Sequence, residues 1–203
     1  MMETLYNNAV PEGGQRTVAF AVCGSYCTFE KAIPAAGRLA RLGWNVLPVL
    51  SFNAANENTR FGKAAEWKMR LYAETGHEPI ETLQGAEPLG PRHLADALVI
   101  APCTGTTLAK LALGLSNTPV TLAAKSLLRI GRPVVLAIST NDGLGASAQH
   151  IAALLTRKNF YFVPFAQDDY LRKPQSLKAD FDLIPETLEQ AVNGRQYQPV
   201  LLA

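Results

Sequence analysis

The segment from Leu98 to Val120 constrains this chain more than any other. It opens as a short apolar run, Leu98-Val99-Ile100-Ala101, the pattern of a buried strand. It breaks at Pro102 into a loop of small and hydroxyl-bearing residues: Cys103, Thr104, Gly105, Thr106 and Thr107. Apolar residues then return at helical spacing, at Leu108, Leu111, Ala112 and Leu115. A strand, a small-residue loop and a helix start in that order bring N–H groups and hydroxyls to the carboxyl edge of a sheet. That edge is where α/β proteins bind anions.

The same alternation runs through the chain. Strands are predicted at residues 17–23, 45–50, 133–138 and 160–163, besides the one at Leu98. Helical spacing follows at Ile33, Ala36, Leu39 and Ala40, and over 61–72, with Ala65, Met69 and Tyr72 on one side. Further helices are predicted over 119–130, 146–155 and 183–192, the last stopped by Gly194. Pro48 marks the second strand as irregular or an edge. Residues 76–92, rich in proline and glycine, read as a long excursion. Strands separated by helices imply a mostly parallel sheet between two helical layers, a single-domain Rossmann/flavodoxin-like three-layer sandwich. A strand order of 2-1-3-4-5 is expected, with the crevice between the first and third strands. The domain is expected over 17–203, behind a loose N-terminal arm over 1–16.

Composition excludes several roles. The chain has 203 residues, enough for one domain with a full-sized core. Its formal net charge of +2, with no basic cluster, gives no electrostatic reason to expect nucleic acid. No apolar run approaches membrane-spanning length, and the N-terminus lacks the apolar core of a signal peptide, so a cytoplasmic location is expected. Cys23, Cys27 and Cys103 fit neither a disulfide framework nor a zinc site, and His77, His93 and His150 share no ligand spacing; no metal is expected. Trp44 and Trp67 read as packing residues.

Strand-end loops carry the candidate site: Gly24 and Ser25; Ser51 and Phe52; Pro102, Cys103, Thr104, Gly105 and Thr106; Ser139 and Thr140. G-x-G-x-x-G is absent after the first strand, and the P-loop pattern is absent altogether. What remains is a phosphate cradle built from hydroxyls, which suits a mononucleotide such as FMN. Helix capping is the competing explanation for each serine and threonine. Asn141 and Asp142 are candidates for orienting substrate or moving a proton, and equally fit a tight turn beside Gly143. Arg60 is a candidate for a substrate carboxylate or an ordinary surface pair.

These residues also carry a resemblance. The loop Ala101-Pro102-Cys103-Thr104-Gly105-Thr106-Thr107 with Lys110, then Gly114-Leu115-Ser116-Asn117, resembles the flavin-binding loop of the homo-oligomeric flavin-containing cysteine decarboxylases. Within that superfamily the chain is most similar to the branch of dipicolinate synthase B subunits. Asn58-Thr59-Arg60-Phe61-Gly62, Ala86-Glu87-Pro88-Leu89-Gly90-Pro91, Ser139-Thr140-Asn141-Asp142, Gln167-Asp168-Asp169 and Lys173-Pro174 carry this closer likeness. It extends over nearly the whole chain, from about Thr17 to Val200.

The resemblance implies a flavoprotein-like component with an FMN-type site. It would work with the A subunit of dipicolinate synthase, the nicotinamide-dependent partner, on a small dicarboxylate. The reaction implied is oxidation of dihydrodipicolinate to dipicolinate in the mother cell during sporulation. Homo-oligomerisation is implied as well. A non-catalytic scaffold that retains the cradle stays open, as does a free-standing FMN-dependent decarboxylase. Against the decarboxylase, the family's catalytic histidine after the second strand has no counterpart between Ser51 and Arg70. Ser139-Thr140-Asn141-Asp142 keeps only the asparagine of the family's Pro-x-Met-Asn. Gly24-Ser25-Tyr26 also matches poorly the serine-glycine-rich first loop of the prenyl-transferring branch.

Overall fold

A computed structural model describes residues 14–202, so most of the expected N-terminal arm lies outside the described residues. The arm's last residue, Arg16, is held. It forms a two-pronged pair with Glu189 at 3.1 and 2.9 Å, and its guanidinium lies 4.2 Å over the Trp44 ring.

The chain alternates as its periodicity predicts. β1 (Thr17–Val22) leads to α1 (Phe29–Arg41), then β2 (Asn45–Leu50), α2 (Phe52–Asn56), α3 (Ala64–Thr75) and a short α4 (Leu83–Ala86). β3 (Ala97–Cys103) is followed by α5 (Gly105–Ala112) and α6 (Pro119–Arg129), then β4 (Val134–Thr140) and α7 (Ala148–Leu155). β5 (Phe160–Phe162), β6 (Phe165–Gln167), β7 (Leu177–Ala179) and α8 (Ile184–Val192) complete it. α1 and α8 cover one face of the sheet, with α3 against α1, and α5, α6 and α7 pack together over the other.

The five parallel strands stand in the order 2-1-3-4-5, as expected. β3 and β4 are buried almost throughout. Central parallel strands covered on both faces need such unbroken apolar runs. Each fully buried side chain such as Leu98 or Ile100 contributes about 1.5–3 kcal/mol.

The structure departs from the sequence reading in four places. First, β3 does not end at Pro102 but runs on through Cys103, which pairs with Ile138. A register shift between Ile100 and Cys103 accommodates the proline, which has no N–H for a regular ladder. Second, the sheet carries an extra antiparallel hairpin. β7 pairs with the carboxyl end of β4 while β5 pairs with its amino half, and β6 pairs with β7. Such short segments leave too little alternation to read.

Third, α3 is rotated. Ala64, Trp67 and Leu71 face inward, whereas Met69 and Tyr72 are 65% and 49% exposed and Ala65 lies outside too. Trp67 sets the phase by packing edge-on against Phe29, ring centroids 5.4 Å apart. Fourth, the excursion over 76–92 belongs to the core. Ile80 bridges to Val49 on the outer side of β2, and Ala86 and Leu89 are buried. β2 is an edge strand of the sheet, which explains the tolerance of Pro48. Among the described residues no helix is long and apolar enough to cross a membrane.

Gly90 fixes how closely that segment meets α6. A Cβ there would lie 2.0 Å from the Ser126 carbonyl oxygen, while the Gly90 N–H donates to Ser126 Oγ at 3.2 Å. Backbone cannot yield as a side chain can. Gly90→Ala should therefore cost about 1–3 kcal/mol, read as a lower urea midpoint with unchanged slope. A midpoint equal to that of the parent chain would contradict this close approach.

Candidate functional site

Because β1 to β4 run parallel, their carboxyl ends open on one edge, and the loops after them line a single cleft. A ridge of Gly24, Thr104 and Thr106 divides it into two compartments. The larger, about 540 Å³, is lined by Ser25, Cys27, Gly105, Ser139, Thr140, Asn141 and Asp142, together with Asp168, Lys173 and Lys178 from the hairpin region. The smaller, about 380 Å³, is lined by Ser51, Phe52, Asn53, Thr107, Lys110, Asn117 and Thr118. Among the described residues no carboxylate lines the smaller one.

The cap explanation accounts for some of these hydroxyls. Thr104 Oγ1 accepts from the Thr107 N–H at 3.3 Å and caps α5; Ser51 Oγ does the same for Ala54 in α2. Ser25 and Ser139 cap nothing. Their hydroxyls meet each other at 2.9 Å across the gap between the first and fourth strands. Thr106 is exposed on the first turn of α5, and its hydroxyl has no protein partner among the described residues.

Asp142 is the most organised group in the larger compartment. Thr140 Oγ1 and Ser147 Oγ both donate to its Oδ1, the latter at 2.9 Å. Those hydrogen bonds, Thr140 foremost, hold its carboxyl below the ordinary value of 3.8, against the opposing effect of burial. The cluster packs on the start of α5, whose exposed N–H groups favour negative charge. Gly105 makes the room, since a Cβ there would lie 2.6–2.8 Å from Ser147 Oγ, Asp142 Oδ1 and Thr140 Oγ1.

Three predicted residues stand apart. Pro102 and Cys103 are buried within β3 and do not line the cleft. Burial drives the Cys103 thiol well above its ordinary range. Arg60 is exposed on the turn after α2, its guanidinium 4.9 Å over the Phe61 ring, and lines neither compartment. Cys23, buried beneath Thr107, is pushed up to about 11 by that burial. Sequence reasoning missed Cys27, Asp168, Lys173 and Lys178. Three of these come from the short hairpin and its connection, whose pairing no periodicity announced.

The sign of the Asp142 perturbation makes a stability prediction. A carboxylate with a depressed folded pKa contributes stability that is fully present above about pH 4 and lost as pH falls through the folded value. Asp168, held down by Lys173 and Lys178, acts in the same direction. Asp142→Asn keeps an acceptor for Thr140 and Ser147 but cannot ionise. Its melting temperature should therefore fall less steeply than that of the parent chain between pH 5 and pH 3. Parallel pH profiles would remove Asp142 from the acid response.

Comparison with known proteins places this chain among relatives. The Flavoprotein family matches residues 7–173. The chain is 44% identical over 187 residues to the B subunit of dipicolinate synthase from Bacillus subtilis (strain 168), covering 92% of this chain and 94% of that protein. The crystal structure of the dipicolinate synthase B subunit from Bacillus halodurans C superimposes with a TM-score of 0.85 at 41% identity, covering 93% and 96% of the two chains. SpaF, an FMN-dependent cysteine decarboxylase, shares the fold at 23% identity, with a TM-score of 0.63 over 87% of this chain and 97% of that one.

Proposed function

The chain belongs to the flavoprotein family, and from that premise we propose that it is the flavoprotein-like component of an enzyme that oxidises dihydrodipicolinate to dipicolinate. It works with a nicotinamide-dependent partner, the A subunit of that enzyme, in the mother-cell cytoplasm during sporulation. The near-full-length likeness to dipicolinate synthase B subunits supports the substrate. The division of the cleft, with hydroxyls, amides and Lys110 on one side of the ridge and an ionised carboxylate on the other, carries the chemistry.

The donor set fits FMN. Thr104, Thr106, Ser51 and Lys110 would hold its phosphate, in the compartment where no carboxylate opposes it. When bound, FMN supplies a two-electron acceptor. Aromatising a dihydropyridine ring removes a hydride equivalent and a proton. Asp142 is ionised at neutral pH, and both side-chain hydrogen bonds fall on Oδ1. Its Oδ2 is left to relay that proton to solvent, since a carboxylate of depressed pKa passes a proton on rather than keeping it. Exposed Asn141 offers an amide to orient the substrate from the same compartment. Pro102, Cys103 and Arg60 take no part in this scheme.

Thr106→Val should lower FMN affinity at least tenfold, and Thr104→Val with Thr106→Val should abolish it, as read by flavin fluorescence. Loss of the Thr104 cap costs about 1 kcal/mol of stability, so melting is followed alongside. Asn141→Ala should lower turnover and leave FMN affinity within twofold. Undiminished flavin binding by the double variant would remove the cradle from the proposal.

Partner dependence gives a separate check. The chain alone, supplied with dihydrodipicolinate and nicotinamide cofactor, should form no dipicolinate, and adding the nicotinamide-dependent partner should restore formation. Asp142→Asn in the reconstituted enzyme separates a catalytic role from a scaffold role. The expected result is a hundredfold or greater loss of rate, and an unchanged rate would favour the scaffold.

A further inference from the structure

The sequence reading made neither Lys173 nor Lys178 a site residue, yet the hairpin brings both ammonium groups to the larger compartment. Lys173 Nζ donates to Asp168 Oδ2 and Lys178 Nζ to Asp168 Oδ1, each at 3.0 Å. One carboxylate therefore holds two cations and leaves one net positive charge. Each ammonium has three N–H donors and spends one on Asp168, so donors remain for a ligand.

The register of the sheet aims this pair. Lys178 stands directly opposite Ser139 across the β4–β7 ladder, and opposed residues project on the same face. Ser139 Oγ in turn meets Ser25 Oγ. The neighbouring Leu177 packs where Gly143 has no Cβ, and Ser176 Oγ donates to the Thr140 carbonyl at 3.2 Å. The hairpin is thus pinned to the end of β4, and the lysines share one space with the serine pair.

We propose that Lys173 and Lys178, held together by Asp168, form with Ser25 and Ser139 a subsite for one carboxylate of a small planar dicarboxylate. The identity of that acid rests on the function proposed above; the subsite does not. Its single net charge matches a carboxylate better than a phosphate dianion. The phosphate site proposed beyond the ridge has Lys110 and no carboxylate among the described residues. Asp142 keeps its negative charge in the same compartment, stabilised but not removed by the hydroxyls of Thr140 and Ser147, and that charge opposes a dianion more than a single carboxylate.

The test uses the full chain, with and without FMN, titrated with pyridine-2,6-dicarboxylate, benzene-1,3-dicarboxylate and neutral pyridine-2,6-dicarboxamide. Both dicarboxylates should bind. Lys173→Met and Lys178→Met should each weaken them at least tenfold, Lys178→Arg should recover most of the loss, and the diamide should be insensitive. FMN affinity should change less than twofold in every lysine variant; its loss would assign the lysines to phosphate and overturn the subsite. Dicarboxylate binding that ignores both methionine substitutions would overturn it too, as would failure of the intact chain to bind either acid. Lysine-dependent binding of the benzene acid without the pyridine acid would keep the subsite and sink the assigned substrate.

Discussion

Burial of the central strands on both faces is the constraint on which everything else depends. With helices covering β3 and β4 from both sides, the interior holds no room for a ligand. Polar chain can meet a small molecule only where strands end. Parallel pairing then sends the ends of β1, β2, β3 and β4 to the same edge. The cleft is thus a by-product of how the apolar runs had to pack, and the loops needed only suitable residues to become a site.

Electrostatic segregation gives that cleft its direction. Two like charges 4 Å apart cost about 4 kcal/mol at an effective dielectric of 20. A carboxylate among the hydroxyls of the smaller compartment would cancel much of what several hydroxyl hydrogen bonds to an anion contribute, at about 1 kcal/mol each. The chain keeps Asp142 and Asp168 on the far side of the Gly24–Thr104–Thr106 ridge. Each has its charge met locally, Asp142 by hydroxyls and Asp168 by lysines. Two carboxylates therefore share the larger compartment with two lysines, and the smaller compartment is left with Lys110 and no carboxylate among the described residues.

The parallel sheet was legible because its evidence is local and repeated: apolar runs of strand length, then helical spacing, several times over. The hydroxyl loops were legible for the same reason, since Ser25, Thr104, Thr106 and Ser139 each follow such a run directly. Pro102 and Cys103 were misplaced because proline reads as a strand terminator, whereas a register shift let β3 continue past it. The face of α3 was misjudged because Ala65-Met69-Tyr72 and Ala64-Trp67-Leu71 both satisfy helical periodicity. Only the contact of Trp67 with Phe29 decides between them. Lys178 was invisible as a site residue because its place depends on pairing with a strand nearly forty positions earlier.

That pairing has a mechanical consequence. β4 is gripped along its amino half by β5 and along its carboxyl end by β7. Side chains alternate between faces with a period of two, so a slip of one residue between β4 and β7 would turn Lys178 away and expose Leu177 in its place. Intermediate positions break the ladder. The hairpin therefore has no continuous sliding coordinate. The Ser139–Lys178 and Thr140–Leu177 rungs thus fix the width of the cleft mouth on this side in one discrete register.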